Sequence, residues 1–469
     1  MKRTKLIWVA VLAWLLGLGL ATQFYTNYSL WLWAVLLAGV CICAIYVKSK
    51  IGYIVFFILF LCAGLLRGQM HIAAQDSFGV RDLIGKKVEL TGVVQAGSHW
   101  NDDKLYEFYI GDVRWDNHHF SELVKVKTLS GQFTEGQTVQ VRGKLGRALG
   151  RASAQVWYAD VETLSTIPPL PVRIKRTMQN GLTQALSPVS ASFASGLLFG
   201  GSSQLPGSLQ EATRQAGLTH IVAVSGFNLT IITALVLTFF GGRLRLKTVL
   251  PILGLIVFFV VMTGATSSVL RAAVMSSFVL LVGSQNRRLS ASTALAVTML
   301  TMTAWSPAYL YWDLSWQLSV LALAGVIFLA PLFTPHNPKR YRIAWEIFAV
   351  SLGAHLATAP LIAHIFGSFS IIAPLANSIV LPLIPLAMLF SFLASVAGIF
   401  PWGPAGIIAS FSDWFLQLIL QIVQMLARLP YASVQVFLGL IAMWASFVGL
   451  GIFMLLGARR ASKKTFQQV

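Results

Sequence analysis

The chain has 469 residues, of which 56% are hydrophobic and 11% are charged, and its mean hydropathy is +0.72. Soluble proteins carry roughly a quarter charged residues, so this composition excludes an ordinary cytosolic enzyme. The net charge is +19, yet the polar stretch from Arg67 to Thr166 holds 12 of the 35 Lys and Arg residues and 12 of the 16 Asp and Glu residues. The basic excess therefore belongs to the apolar part, where short cytoplasmic loops of membrane proteins collect lysine and arginine.

The first 66 residues contain three apolar runs, Leu6–Ala21, Ser29–Val47 and Ile51–Leu66. Basic residues precede the first run and separate the second from the third, whereas the loop between the first two has no charge. The positive-inside rule then predicts a cytoplasmic N-terminus and an external polar stretch after Leu66. A cleaved signal peptide is the alternative interpretation of the first run. We favour an uncleaved helix, because two more spans follow and no clear small-residue cleavage site is present.

The polar stretch changes to a two-residue period. Its five alternating or aromatic-rich runs are Val88–Val94, Leu105–Ile110, Leu123–Lys127, Val139–Lys144 and Ala154–Leu164. Five short strands with turn residues between them predict a small β-barrel such as an OB-fold. A plain β-sandwich that acts as a spacer is the alternative, and periodicity does not separate the two.

The segment that follows, residues 167–219, begins with a stiff proline-rich linker at Thr166–Pro171. Met178–Ala216 is interrupted by Pro188 and Pro206 and has amphipathic character. We expect it to be too broken to span a membrane and to lie along the membrane surface.

Nine further apolar runs follow, with basic residues in every second loop and at the C-terminus. They are His220–Phe240, Val249–Gly264, Ser268–Gly283, Ala291–Trp305, Leu314–Phe333, Ile343–Phe366, Ile371–Phe400, Gly406–Leu426 and Val434–Leu456. The prediction is a polytopic α-helical membrane protein of about twelve spans with an inserted external OB-like domain, and with both termini in the cytoplasm. The predicted domains are residues 1–66 (N-terminal helices), 67–166 (β domain), 167–219 (linker and surface segment), 220–458 (transmembrane domain) and 459–469 (basic cytoplasmic tail).

Polar groups within spans are costly and mark candidate functional positions. The candidates for a transport path are Ser225, Gly226, Asn228, Arg271, Asp313, Gln317 and Asn377. Topology places Arg271 and Asp313 near the external face, where they could pair. A structural ion pair that holds two helices is as good an interpretation as a role in a pathway. Pro382 and Pro385 interrupt a run that is otherwise long enough to span, which fits either a discontinuous helix beside a cavity or a kinked structural helix.

No catalytic, metal or cofactor site is predicted. Ser225 lacks the preceding glycine of the serine hydrolase elbow, and His355 and His364 lack the spacing of a zinc protease. After Glu211 only three acids remain, too few for an obvious two-metal site. The three cysteines lie in apolar runs and are interpreted as small apolar side chains.

Several motifs together resemble the ComEC family of bacterial DNA-uptake channels. They occur in the family's order and spacing, at Gly217–Asn228 (GLTHIVAVSGFN), Ser268–Met275 (SVLRAAVM), Asp313–Ser319 (DLSWQLS), Leu356–Leu361 (LATAPL) and Asn377–Pro382 (NSIVLP). The resemblance extends to the N-terminal helices and the polar domain, which is OB-like and external in the family. It implies that residues 220–458 form a competence-type channel domain, which carries single-stranded DNA across the cytoplasmic membrane during natural transformation.

Two departures from the family pattern qualify this implication. Asn228 stands where the family usually has histidine, so a role that needs a titratable ring is in doubt at that position. The metallo-β-lactamase-like domain of many relatives, which is proposed to degrade one DNA strand, has no counterpart here, and we expect a separate nuclease. No phosphate-binding loop is present, so an ATP-driven motor or helicase is expected to be a partner. An external DNA receptor and a homodimer are further expectations.

DNA passage fits the chemistry of the chain, because a polyanion needs scattered cations rather than a deep basic trap. The basic candidates for guiding DNA are Arg173, Lys175, Arg176 and Arg214, together with Arg271. The stacking candidates on the β domain are Tyr106, Phe108, Tyr109 and Trp115, although a place in the barrel core is at least as good an interpretation of each. A transporter or exporter for another anionic polymer or lipid-linked substrate is the alternative function. An intramembrane hydrolase that uses Ser225 ranks third.

Overall fold

The computed structural model contains α-helices and one β domain. It describes residues 2–21, 50–75, 80–95, 99–100, 105–116, 118–120, 123–129, 133, 135–148, 154–165, 170–200, 205–222, 226–239, 245–285, 287, 289–334, 342–400 and 405–466. The predicted span Ser29–Val47 and the candidate Ser225 lie outside these residues.

Two long helices, α1 (Lys2–Ala21) and α2 (Lys50–Gln75), form an N-terminal pair. They pack backbone to backbone, because a Cβ atom at Gly17 would lie 2.1 Å from the carbonyl oxygen of Leu61, and one at Gly64 would lie 2.2 Å from that of Trp14. Small residues permit this approach between helices where no hydrophobic effect drives packing.

The polar stretch forms strands β1–β8. Their bounds are β1 (Lys87–Val94), β2 (His99–Trp100), β3 (Tyr106–Trp115), β4 (His118–Phe120), β5 (Val124–Thr128), β6 (Thr138–Arg147), β7 (Ala154–Val156) and β8 (Asp160–Ser165). The hydrogen-bonded order β1-β3-β5-β7-β6 closes on itself, since β1 also pairs with β6. A closed five-stranded ring fits the predicted OB-like barrel and differs from the open-edged sheets of a β-sandwich.

Alternation along the strands builds the core of this barrel. The residues that fill it include Leu90, Phe108, Ile110, Val126 and Val141, and all five are fully buried. Inward residues alternate with outward ones in β1 and β6, as expected where one face of a strand meets the core and the other meets solvent. The last predicted run is divided in the structure, because a turn at Trp157 and Tyr158 separates β7 from β8.

The helices after the barrel are numbered in chain order. They are α3 (Leu170–Ala185), α4 (Pro188–Phe199), α5 (Gly207–Gln215), α6 (Thr219–Val222), α7 (Gly226–Phe239), α8 (Leu246–Met262), α9 (Ser267–Ser284), α10 (Ala291–Trp305), α11 (Ala308–Tyr311), α12 (Leu314–Ala324), α13 (Ala330–Phe333), α14 (Arg342–Phe366), α15 (Ala373–Val380), α16 (Ile384–Ile399), α17 (Ala405–Ala427) and α18 (Leu440–Phe466). A π-helical turn, Gly325–Leu329, joins α12 to α13, and a 3₁₀ turn, Leu381–Leu383, joins α15 to α16. A short ribbon pairs β9 (Ser368–Ser370) with β10 (Ser433–Gln435).

Five helical segments in the described part of the chain are long and apolar enough to cross a membrane. They are Ser267–Ser284, Leu314–Phe333, Arg342–Phe366, Ala373–Ile399 and Ala405–Ala427. The structure therefore supports a helical membrane protein with a barrel domain, but not the predicted count of twelve spans. The apolar portions of the other helices that the structure describes are 10–17 residues long, whereas about 18 residues are needed to cross the hydrocarbon core.

The expectation that Met178–Ala216 lies along the membrane surface needs correction for helix α4. Nine of its twelve residues are buried, around the whole circumference of the helix, in the largest cluster of buried apolar side chains. A helix that is apolar all round packs inside a protein rather than along an interface. The preceding helix α3 also packs tightly, since a Cβ atom at Gly398 of α16 would lie 1.9 Å from the carbonyl oxygen of Gly181.

The N-terminal pair is fastened to helices that come much later in the chain. Trp14 Nε1 donates to Thr303 Oγ1 of α10 at 3.0 Å, and Arg67 Nε donates to the carbonyl oxygen of Ala304 at 2.9 Å. The hydroxyl of Tyr311 donates to the carbonyl oxygen of Leu18. Helices α1 and α2 are thus part of the helical domain.

Candidate functional site

The first candidate position is the start of helix α12, at Asp313. The Asp313 side chain caps this helix, because its Oδ1 atom accepts from the backbone N–H of Trp316 at 2.8 Å. An aspartate at this position satisfies one of the backbone donors that every helix start leaves unpaired. The same Oδ1 accepts from Ser267 Oγ at 2.9 Å. Because Ser267 is the first residue of α9, this contact joins the starts of two candidate membrane spans.

The predicted ion pair between Arg271 and Asp313 needs correction. Among the described residues no acidic side chain lies within 4.0 Å of the Arg271 guanidinium. The physical reason is that Asp313 turns toward its own helix start and toward Ser267. Sequence reasoning missed Ser267; its one signal is a short hydroxyl residue at the start of a helix, one turn before the half-buried Arg271.

Arg271 lies instead against the start of helix α7. A Cβ atom at Gly226 would lie 3.3 Å from Arg271 Nη2 and 2.8 Å from the Cβ atom of Ala272. Gly226 therefore leaves the space that the guanidinium occupies. Arg271 Nε is buried and has no hydrogen-bond partner in the described part of the chain.

This contact is electrostatically unfavourable for the protein alone. The N-terminal end of a helix carries a partial positive charge, so a cation beside it is repelled. The Arg271 guanidinium combines this position with partial burial in a candidate span. An anion is the chemical group that this arrangement can accept, because it would satisfy both the guanidinium and the helix end.

Asn228 faces another helix. Its side chain is 1% exposed, and Nδ2 donates to the carbonyl oxygen of Leu197 in α4 at 2.9 Å. An amide thus serves at the position where the resemblance expects histidine, and it joins α7 to the buried helix α4.

Two other candidates have local partners. Gln317 Nε2 donates to the carbonyl oxygen of Leu310 at 2.8 Å, which braces the turn between α11 and α12. Asn377 Nδ2 donates to Ser351 Oγ of α14 at 3.0 Å, whereas Asn377 Oδ1 is buried without a partner among the described residues. The structure therefore brings Gly226 and Arg271 into contact, links Asp313 to the same helix through Ser267, and directs Asn228 and Asn377 toward other helices.

The basic candidates outside the spans differ in how far they are engaged. Lys175 is 6% exposed and its Nζ atom lies 2.6 Å from Glu135 Oε2, in the loop between β5 and β6. Arg176 donates to the backbone oxygen of Glu135 at 2.8 Å. These residues hold the barrel against α3, so the prediction that they guide DNA needs correction. Arg173 is exposed.

Arg214 is also engaged, within helix α5. It forms two hydrogen bonds with the carboxylate of Glu211, at 2.7 and 2.8 Å, and a third with Ser368 Oγ at 3.0 Å. The hydrogen bonds from Arg214 lower the pKa of the Glu211 carboxyl below its ordinary value. Arg214 remains half exposed and retains little uncompensated charge.

The aromatic candidates on the barrel point in different directions. Phe108 is fully buried and Tyr106 is 7% exposed, with its hydroxyl bonded to the carbonyl oxygen of Phe133. Neither ring can stack on a base, so these two predictions are corrected in favour of the barrel core. Tyr109 is partly buried, and Trp115 stacks on His118 with a ring separation of 6.1 Å.

Within the ranges that the structure describes, no three His, Cys, Asp or Glu side chains lie close enough together to hold a metal ion.

The comparisons with known proteins concern the helical domain. The model of a family described as "Competence protein" matches residues 197–462, which is more than half of the chain and includes Asn228, Arg271, Asp313 and Asn377. ComE operon protein 3 of Bacillus subtilis (strain 168) is 27% identical over 213 residues. That alignment covers 45% of this chain but only 27% of the relative, so the chain spans about a quarter of the length of the curated relative it matches. No solved structure matches.

Proposed function

This chain belongs to the competence protein family, and from that premise we propose that it carries single-stranded DNA across the cytoplasmic membrane. A role in competence DNA uptake follows from the family and from the similarity to ComE operon protein 3. The proposal adds the form of the substrate, the membrane and the passage itself. It also treats the chain as a channel component without an enzymatic step of its own.

The observation that carries the proposal is the uncompensated charge of Arg271. A cation within a candidate span is expensive and is normally paired. Arg271 has no acid within ion-pair distance among the described residues, and it faces the start of α7. A phosphodiester backbone would supply the missing negative charge transiently, at one phosphate after another. A single cation of this kind attracts a polyanion without holding it permanently.

The arrangement in the membrane is part of the same proposal. We place both termini in the cytoplasm and the barrel outside, because the basic loops follow the positive-inside pattern. The domain limits given above are kept as part of the proposal, except that helix α2 extends the first domain to Gln75 and helix α18 extends the transmembrane domain to Phe466.

The partners follow from what the proposed passage requires. An external receptor would deliver DNA, a separate nuclease would remove one strand, and a cytoplasmic helicase or ATPase would pull the other. A homodimer is compatible with this arrangement. Family membership favours DNA over the alternative substrate, another anionic polymer or a lipid-linked precursor.

The test is uptake of labelled transforming DNA in cells whose only copy of the chain carries Arg271→Met. We expect DNA to remain outside the cytoplasmic membrane while protein levels stay normal. Arg287→Met is the matched control, because Arg287 lies just beyond the other end of α9. Normal uptake in a complete deletion would reject the proposed function, whereas normal uptake in Arg271→Met alone would reject the role of this residue.

A further inference from the structure

A row of charged and aromatic side chains crosses the outside of the barrel. Lys87 of β1 lies directly opposite Lys144 of β6, and Glu107 of β3 lies directly opposite Lys127 of β5. Trp157 follows the last residue of β7, the strand that lies between β6 and β5. The five residues therefore form one line around the barrel, which we call the outer row.

Register places Trp157 in the middle of the outer row. Val156 pairs with Leu145 of β6 on one side and with Val126 of β5 on the other. β6 runs antiparallel to β7 and β5 runs parallel to it, so Trp157 comes between Lys144, one residue before Leu145, and Lys127, one residue after Val126. Because Val156, Leu145 and Val126 are buried, the next residue on each strand turns to the other face of the sheet.

The Trp157 ring covers a local excess of positive charge. Lys127 Nζ lies 4.1 Å from the centroid of this ring and 2.5 Å from Glu107 Oε1. Lys125 Nζ lies 2.6 Å from the other oxygen of Glu107. One carboxylate thus serves two ammonium groups, beneath an indole that is still 43% exposed. The cation–π contact fixes the orientation of the ring.

Tyr158 adds a second exposed ring beside the first. Its side chain is 65% exposed, and its backbone has φ 51°, a left-handed conformation that bulky residues rarely adopt. A tyrosine at such a position costs conformational free energy and gains no burial in return. This observation points to a use for the ring outside the fold.

The other end of the outer row attracts an anion. Like charges directly opposite each other on neighbouring strands repel, and both Lys87 and Lys144 are exposed. A bound phosphate would relieve this repulsion. Gly146 lies two residues after Lys144, on the same face of β6. Because glycine has no side chain, it leaves the edge of the Trp157 ring uncovered; a Cβ atom at this position would lie 4.0 Å from the ring.

We propose that Trp157 and Tyr158 are a stacking site for bases of single-stranded DNA, and that Lys87 and Lys144 contact its phosphates. This inference rests on the proposed function and names where the barrel meets the substrate. Aromatic faces beside a basic strip are the recurring means by which proteins hold single strands without reading their sequence. The exposed pair replaces Tyr106 and Phe108, which lie in the core.

The test uses the full-length chain in nanodiscs and measures fluorescence anisotropy of two labelled strands. One strand is oligothymidylate, and the other is an abasic strand of equal length that keeps the phosphates. Tyr158→Gly removes the ring at a position where glycine adopts the same φ without strain, so the fold is retained. We expect Tyr158→Gly and Trp157→Leu each to weaken oligothymidylate binding by roughly fivefold or more, with the abasic strand unaffected. Lys144→Gln should weaken the binding of both strands and should make the affinity less dependent on salt concentration.

Tyr431→Gly is the matched control, because Tyr431 is also an exposed tyrosine with a left-handed backbone, φ 60°. Unchanged oligothymidylate affinity in both ring variants overturns the inference, and so does an equal loss for the abasic strand. Hydrogen exchange at residues 157–158 tests whether the two rings bind a lipid surface. If anionic lipid protects these backbone amides and oligothymidylate does not, the inference is also overturned. In each of these cases the wild-type chain still binds DNA and the proposed function stands. The proposed function fails separately, if deletion cells take up DNA normally.

Discussion

The barrel and the helical domain treat buried charge in opposite ways. In the barrel, the nearly buried carboxylate of Glu107 bonds to Lys125 and Lys127 on the neighbouring strand. At the junction with the helices, Lys175 bonds to Glu135. In the helical domain, Arg271 lies beside a helix start and has no acid within 4.0 Å among the described residues.

This difference separates charges that maintain the fold from a charge that is available to a ligand. A buried ion pair is costly to break, because removal of one partner leaves the other desolvated and alone. An unpaired cation bears that cost permanently, so its removal should cost function and leave stability unchanged.

The largest expected effect is on transport by Arg271→Met. Uptake should fall by about tenfold or more, since a hydrogen bond to a charged group contributes about 1.5–3 kcal/mol and 1.4 kcal/mol corresponds to a factor of ten. The temperature at which the purified chain unfolds should be unchanged or slightly higher, because an uncompensated cation is removed. Uptake and unfolding are measured on the same variant, and a destabilised Arg271→Met with full uptake of DNA would abolish the contrast.

The next effect concerns the barrel. Glu107→Gln should destabilise it by about 3 kcal/mol, because two partly or fully buried lysines lose their counter-charge. Resistance of the barrel to proteolysis at increasing urea concentration measures this change. Glu162→Gln is the control, since Glu162 is exposed and its partner among the described residues is the exposed Arg142, at 3.5 Å. Equal sensitivity of the two variants would show that the Glu107 cluster behaves as an ordinary surface pair.

The contact between barrel and helices should show a smaller, reciprocal effect. Glu135→Lys and Lys175→Glu should each destabilise the chain by about 2 kcal/mol, and the double exchange should recover part of that loss through a coupling of about 1 kcal/mol. Thermal unfolding of the four proteins of this cycle gives the coupling. Purely additive losses would mean that the pair does not hold the barrel in place.

The smallest effect is at the exposed pair in helix α5. Glu211→Gln should cost no more than about 0.5 kcal/mol at neutral pH, as is typical of pairs three or four residues apart on a helix. Because Arg214 lowers the folded pKa of Glu211 below 4.5, this contribution is fully present above pH 4.5 and is lost as the pH falls through the folded pKa. Stability curves of wild type and Glu211→Gln should therefore converge in acid; parallel curves would contradict the pairing.

Much of the architecture follows from periodicity in the sequence. Alternation located the barrel strands, and the apolar run Ala291–Trp305 coincides with helix α10. Tyr106 and Phe108, two residues apart on β3, both face the barrel core, and not DNA as predicted. Which face of the strand meets the core depends on ring closure between β1 and β6, and these strands are far apart in the chain.

The candidate site was less accessible to sequence reasoning. Polar residues in apolar runs identified Arg271 and Asp313, because hydrocarbon penalises such groups regardless of tertiary structure. Their partners depend on side-chain direction at the helix starts, where Asp313 prefers its own backbone and Ser267. The burial of α4 likewise depends on helices contributed by the second half of the chain.

The bonds that fasten the N-terminal helices have a consequence for biosynthesis. Trp14, Arg67 and Leu18 meet partners that are 289, 237 and 293 positions later. At about 5–20 residues per second, the ribosome needs roughly 10 to 60 s to supply those partners. The two N-terminal helices are therefore made long before α10, and the side chains of Trp14 and Arg67 have no native partner during that time. Contacts between the first and second halves of the helical domain can therefore form only after most of the chain has been synthesised.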